Sequence, residues 1–207
     1  IDFWTTIANA DGTINSTYDY GDGVHLNDAA HILLAERVKA MDILKYSHDD
    51  TVYDTINIDL GDPTATSAGN WNNLTTYAAS TPISLINSNG VASGYSIWVH
   101  DAFTGVNTAG TTAPDASTGL PSTATYDSFF GNTVAFGGIT EATGGVTISG
   151  LDCNKTYNIS MFASRAGSTD NREAMYIAVG ATKDTVYLNA SSNTSTVVTI
   201  SKITPAA

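Results

Sequence analysis

The sequence predicts a mainly β protein: an antiparallel β-sandwich of jelly-roll type, preceded by a short α/β stretch with one helix. Three observations lead there. From about residue 55 onward, short apolar alternations recur between turn signals, the pattern of strands in a sandwich. Of the 20 acidic residues only Glu36, Glu141 and Glu173 are not Asp. Asp, Asn, Gly, Ser and Thr favour turns and strand edges over helix interiors. Finally, Glu36, Arg37 and Lys39 gather beside Ile32, Leu33, Ala35, Val38, Met41 and Ile43, which broadly follow helical spacing.

Taken in order, Ile1-Asp2-Phe3-Trp4 reads as the end of a strand, and residues 9–23 as a loop rich in Gly, Asn, Asp and Tyr. A helix is predicted to start near Asn27 or Asp28, either of which is a good N-cap. Residues 46–54 form a polar linker. Strands are then expected at Thr55–Leu60, Pro82–Ile86, Tyr95–Val99, Thr133–Phe136, Val146–Ile148, Tyr157–Ala163, Ala174–Val179, Thr185–Leu188 and Thr196–Ile200. Gly61-Asp62-Pro63 stops the first of them, and residues 104–123 read as one long loop. The organisation is therefore a helical stretch over 1–45, a linker over 46–54 and a β-unit over 55–207. The chain stops at Pro205-Ala206-Ala207 without a closing strand, which leaves a shortened C-terminus as one reading.

A net charge of −12 repels a phosphate backbone and argues against nucleic-acid partners. No run of about 18 apolar residues is present, so no membrane span is expected. Cys153 stands alone and cannot form an intrachain disulfide; a buried apolar role suits it better than catalysis. Clustered Asp suits calcium, but the D-x-D-x-D-G loop is missing, so neither a metal nor another cofactor is expected.

The stretch with most chemical content is Tyr20-Gly21-Asp22-Gly23-Val24-His25-Leu26-Asn27-Asp28-Ala29-Ala30-His31. A His that takes a proton from a hydroxyl needs a carboxylate to fix its tautomer and stabilise the imidazolium. One loop carrying both supplies base and orienter together. The plainer alternative is that Asp22 pins a loop and His25 packs beside the helix. His31 reads as a helix-surface residue, and His48 and His100 have no partner pattern.

Phe3-Trp4, Ala10-Asp11-Gly12, the Tyr20–His31 string and Leu34-Ala35-Glu36-Arg37-Val38 together resemble the C-terminal block of the SGNH (GDSL-type) hydrolases. The resemblance spans residues 1–45. It implies that Asp22 orients His25 and that His25 is the general base. It also implies a nucleophilic Ser in an upstream block, and a Gly and an Asn for the oxyanion hole. None of those blocks is present: Leu60-Gly61-Asp62-Pro63 has Pro where Ser is needed, on the wrong side of the His. The expected partner is therefore a missing N-terminal part of the hydrolase domain. Without the Ser this chain is expected to be inert by itself.

The β-unit, through Ile56-Asn57-Ile58-Asp59-Leu60-Gly61, Gly69–Leu74, Gly150–Tyr157 and Phe162–Glu173, resembles the carbohydrate-binding and galactose-binding-like modules of secreted bacterial proteins. A sugar site needs an aromatic face and planar polar groups. Trp71 and Trp98, with Tyr77 and Tyr95, are candidate faces; Arg165, Asp170, Asn171 and Arg172 are candidate polar contacts from one loop. Core packing of Trp71, and a structural ion pair among Arg165, Arg172 and Glu173, are the competing readings. The side on which Trp98 lies is open.

The expectation is thus the C-terminal part of a secreted SGNH-type esterase acting on acylated carbohydrate, with an accessory β-unit, in a secreted or bacterial cell-surface setting. The alternatives are a non-catalytic carbohydrate-binding or adhesive module, and a structural surface or filament subunit whose β-units pack through their edges.

Overall fold

The structure is a computed structural model that describes residues 4–40 and 54–206. The chain divides into two units, 1–53 and 54–207. The strand end expected at Ile1–Phe3, the helix beyond Ala40, His48 and linker residues 46–53 lie outside the described residues.

The first unit is a series of turns leading into helix α1, Asp28–Ala40. Single bridges, Ala8 to Ile14 and Asp19 to Leu26, fold the turns back on themselves. Asn27 caps the helix: its Oδ1 accepts from the Ala30 N–H at 3.1 Å, one of the orphan donors of the first turn. The same amide donates to the carbonyls of Thr17 (3.0 Å) and Asp19 (3.1 Å), tying the preceding loop to the helix start. Ile7 and Ala30 are buried. Leu33, Leu34 and Val38 are half-buried and Ile32 is exposed, so the apolar side of α1 is only partly covered.

The second unit is mainly β, and with 38% strand against 10% helix so is the protein. Among the described residues there are thirteen strands. They are β1 (Asn57–Leu60), β2 (Trp71–Leu74), β3 (Ile83–Ile86), β4 (Ala92–Asp101), β5 (Gly105–Asn107), β6 (Ser128–Phe130), β7 (Asn132–Phe136), β8 (Ile139–Glu141), β9 (Gly145–Ser149), β10 (Tyr157–Met161), β11 (Glu173–Val179), β12 (Lys183–Asn189) and β13 (Val198–Ile203). Strands β3, β4 and β9 form a three-stranded antiparallel sheet, and β5–β6, β7–β8, β10–β13 and β11–β12 pair antiparallel.

Alternation along β4 sends Ile97 and Val99 inward, opposite Ile148 and Val146 of β9. With Leu74 and Leu85 they form the core, against which Ile56, Ile58, Leu60, Tyr95, Phe103 and Phe129 pack. Each fully buried aliphatic side chain contributes roughly 1.5–3 kcal/mol relative to exposure. The β11–β12 hairpin buries Leu188 but leaves Met175, Ile177, Val179 and Tyr187 exposed.

Several features depart from the sequence expectation: Cys153, expected to be buried, is exposed, and two larger differences concern the backbone. Strands β1 and β2 pair in parallel, Asn57 opposite Trp71 and Leu60 opposite Leu74. The connection between them, residues 61–70, turns back instead of forming a hairpin: the Ser67 N–H donates to Asp59 Oδ2 (3.1 Å) and Asn73 Oδ1 (2.8 Å). The 104–123 loop is also more ordered than expected. It holds β5, a 3-10 turn at Ala116–Thr118 and the start of a short helix α2, Ser122–Tyr126. Thr125 of α2 is buried and its hydroxyl donates to the Thr111 carbonyl at 2.8 Å, which fixes the loop from inside.

Candidate functional site

The Asp22–His25 loop is assembled by local hydrogen bonds. Gly21 and Gly23 take φ of 113° and 73°, a region that side-chain-bearing residues avoid, so the chain reverses tightly on either side of Asp22. Asp19 Oδ1 accepts from the N–H groups of Gly21 (2.9 Å) and Gly23 (3.0 Å). Tyr20 N–H donates to the His25 carbonyl at 2.9 Å, closing the loop across its neck. Within it, Asp22 Oδ1 accepts from the backbone of Val24 (2.9 Å) and His25 (2.8 Å). The other oxygen, Oδ2, lies 2.6 Å from His25 Nδ1.

This geometry fixes the tautomer. Asp22 accepts the Nδ1 proton, so in neutral His25 the lone pair sits on Nε2, the nitrogen that faces away from the carboxylate. The hydrogen bond to the His25 ring holds the Asp22 carboxyl well below the usual carboxylate range, helped by the His25 and Val24 amides. The same bond, and then the negative charge of Asp22, raise the pKa of His25. Such a pair can accept a proton at Nε2 and hold the resulting imidazolium. Both side chains are open, 75% exposed for His25 and 46% for Asp22. Among the described residues no hydroxyl or thiol hydrogen-bonds to Nε2. His31 lies on the exposed surface of α1.

The other candidates lie in the second unit, where Arg172 and Asp170 meet and neither Trp71 nor Trp98 shares a hydrogen bond with the loop. Trp71 of β2 is half-buried and outside the core cluster. Trp98 of β4 alternates with buried Ile97 and Val99, so it lies on the outer face of the three-stranded sheet. Thr147 stands directly opposite it on β9, and Ser96 opposite Ser149. On that face the His100 Nδ1 lies 3.0 Å from the Thr147 hydroxyl, a pairing that sequence spacing did not signal. The loop residues mostly satisfy one another or nearby backbone. Arg172 Nε meets Asp170 Oδ2 at 2.8 Å, and Asn171 accepts from the Glu173 amide. Arg165 Nη1 donates to Asn107 Oδ1 at 2.6 Å. The ion pair of the loop is thus Arg172 with Asp170.

The Leu60-Gly61-Asp62-Pro63 segment holds a feature the sequence reading missed. The Asp127 carboxylate rests on Gly61: a Cβ at position 61 would lie 2.4 Å from its Cγ and from both oxygens. The Asp62 N–H donates to Asp127 Oδ2, while Asp62 itself caps Thr64 at 2.8 Å. Asp59 and Asp127 are both buried. Desolvation raises the pKa of each, and for Asp127 the charges of Asp59 and Asp62 add to it. Pairing across 65 positions leaves no local signal in the sequence.

Among the described residues no three metal-ligating side chains converge, and no helix is long and apolar enough to cross a membrane. Comparison with protein-family profiles, with curated proteins and with solved structures finds no match to this chain.

Proposed function

We propose that Asp22 and His25 are the acid–base half of an ester hydrolase of SGNH type, and that the β-unit is its accessory module. The observation that carries this is the 2.6 Å bond from His25 Nδ1 to Asp22 Oδ2. It gives the tautomer in which Nε2 takes the proton from a nucleophilic hydroxyl as that hydroxyl attacks an acyl carbon. The same nitrogen then returns the proton to the leaving alcohol. In this reading the nucleophilic Ser and the oxyanion donors come from polypeptide outside these residues, and the substrate is an acylated carbohydrate in a secreted or cell-surface setting.

The test is hydrolysis of a fluorogenic acetyl ester by this chain and by the full-length product of its gene. This chain is expected to show no turnover above that of free imidazole. In the full-length product His25→Ala is expected to lower kcat by roughly 10⁵–10⁶-fold, and Asp22→Asn by about 10⁴-fold. Full activity in the His25→Ala protein rules the reading out.

One observation favours a second, binding-module reading. Half-buried Trp98 shares a sheet face with Ser84, Ser96, His100, Thr147 and Ser149, an aromatic plane among hydroxyls of the kind that stacks on a sugar ring. On a glycan array the chain then binds a defined set of sugars, and Trp98→Ala loses at least tenfold in affinity. Unchanged binding by that variant removes Trp98 from any sugar site.

A further inference from the structure

Asp127 is in an unusual position for a carboxylate. It is 5% exposed, and its Oδ1 is buried with no hydrogen-bond partner, the one such side-chain atom among the described residues. Its other oxygen accepts a single backbone N–H, from Asp62. The group lies flat on the Gly61 turn, which only an absent side chain allows. The charges that act on it are those of Asp59 and Asp62, both negative, and Asp59 is itself 4% exposed. Asp59 has partial relief from the Ser67 amide at 3.1 Å. Asp127 Oδ1 has none, and no described Lys or Arg forms an ion pair with any of the three.

An ionised, half-satisfied carboxylate beside two others is costly to bury, and is normally compensated by a basic side chain, a proton or a metal ion. The first is not there. A proton on Oδ1 would be a buried O–H donor and would need an acceptor of its own. A cation satisfies the bare oxygen directly and relieves the repulsion among all three acids.

We propose that the β-unit binds one hard divalent cation of the calcium class, with Asp127 Oδ1 as its anchoring ligand at the Gly61–Asp62 turn. The acids gathered there offer carboxylate oxygens, with no His or Cys among them, which favours calcium or magnesium over zinc or copper. Because no three ligating side chains converge, carbonyls and water complete the shell. The affinity expected of so few carboxylates is that of weak extracellular sites, a Kd of ~10⁻⁴–10⁻³ M. This site is independent of the Asp22–His25 reading.

The experiment is thermal unfolding of the chelator-treated chain in ~10 mM calcium chloride against the same chain in chelator. Calcium raises the Tm by about 3–10 °C for this size and affinity. Asp127→Asn abolishes the rise, and Asp22→Asn keeps it. In parallel, calcium titration followed by amide NMR of the unaltered chain shifts Gly61, Asp62 and Asp127 first, a readout that holds even if the Asn variant does not fold. No rise in Tm, a rise retained in Asp127→Asn, or shifts confined to other turns overturns the proposal. So does an unaltered chain whose Tm is the same in calcium as in chelator while Asp127→Asn is more stable than it in both, because a proton then fills the place of the ion.

Discussion

His25 owes its chemistry to Asp22, and the two are best tested by titration. The carboxylate bond raises the imidazole pKa above 6.5, and the same bond depresses the Asp22 pKa from 3.8. The His25 contribution to loop stability is complete below pH 6.5 and is lost as pH rises through its raised value. The Asp22 contribution is complete above pH 3.8 and is lost as pH falls through its depressed value. The ion-pair form therefore fills the window from below 3.8 to above 6.5. The proton-accepting form appears only above that window, so a hydrolase built on this pair gains rate with pH there. In NMR, His25 should titrate above 6.5 and Asp22→Asn should bring it back towards that value; equal titration in both proteins means the bond is not formed in solution. This pair was legible in the sequence because both members lie in one tight turn, where spacing of three fixes the contact. The Asp127–Gly61 contact was not, since nothing near Asp127 announces a turn so far back in the chain.

Strand β2 shows how an element can be hidden. Trp71-Asn72-Asn73-Leu74 places two poor strand formers in a row, and intrinsic preference speaks against it. Besides its parallel ladder with β1 and the buried Leu74, it is held by the Asn72 side chain. The buried amide donates to the carbonyls of Asn57 (2.9 Å) and Ile86 (2.8 Å), and accepts from the Ile86 N–H at 2.8 Å. One side chain thus adds to the ladder between β2 and β1 and ties β2 to β3, with which it shares no ladder. Asn72→Leu keeps the γ-branched shape but removes all three bonds, leaving half-buried backbone groups unpaired. A loss of about 2–4 kcal/mol in urea unfolding is expected, whereas a loss below 1 kcal/mol would mean that water replaces the amide. Strands β3, β4, β9, β11 and β12 were legible because their apolar residues alternate. The short β5, β6 and β8 were not, as three-residue pairs such as Gly105–Asn107 with Ser128–Phe130 show no period at all.

Across the whole molecule the excess of Asp is mostly turn chemistry. Asp11 accepts from the Thr13 amide and hydroxyl, Asp115 from those of Ser117, Asp152 from the Asn154 amide and side chain, and Asp170 from Ser168 and Arg172. In the first two a hydroxyl bond is the main cause of a depressed pKa, in Asp152 the Asn154 backbone, and in Asp170 the Ser168 hydroxyl. This is why composition announced a turn-rich β protein correctly while giving no register: each of these four Asp marks where the chain bends, and none says which strand lies beside which. The same set predicts the acid behaviour of the fold. A depressed carboxyl stabilises above its unfolded pKa of 3.8 and loses that contribution as pH falls through its folded value. Each of these groups is exposed, so screening keeps the individual effects small, and they are felt as a sum spread over both units. With 20 acids against 8 bases, protonation also removes net negative charge, whose self-repulsion opposes folding at neutral pH. The two effects run in opposite directions and separate in pH. Relief of repulsion begins as the ordinary carboxyls titrate, near 4, whereas loss of the turn bonds requires the depressed ones. The Tm should therefore hold or rise slightly on acidification to about pH 4 and fall steeply below it. Added salt should flatten the upper limb and leave the fall in place, because the turn bonds are short-range. A Tm that declines steadily from pH 7, or one still level at pH 2, means that the turn aspartates do not carry the stability assigned to them.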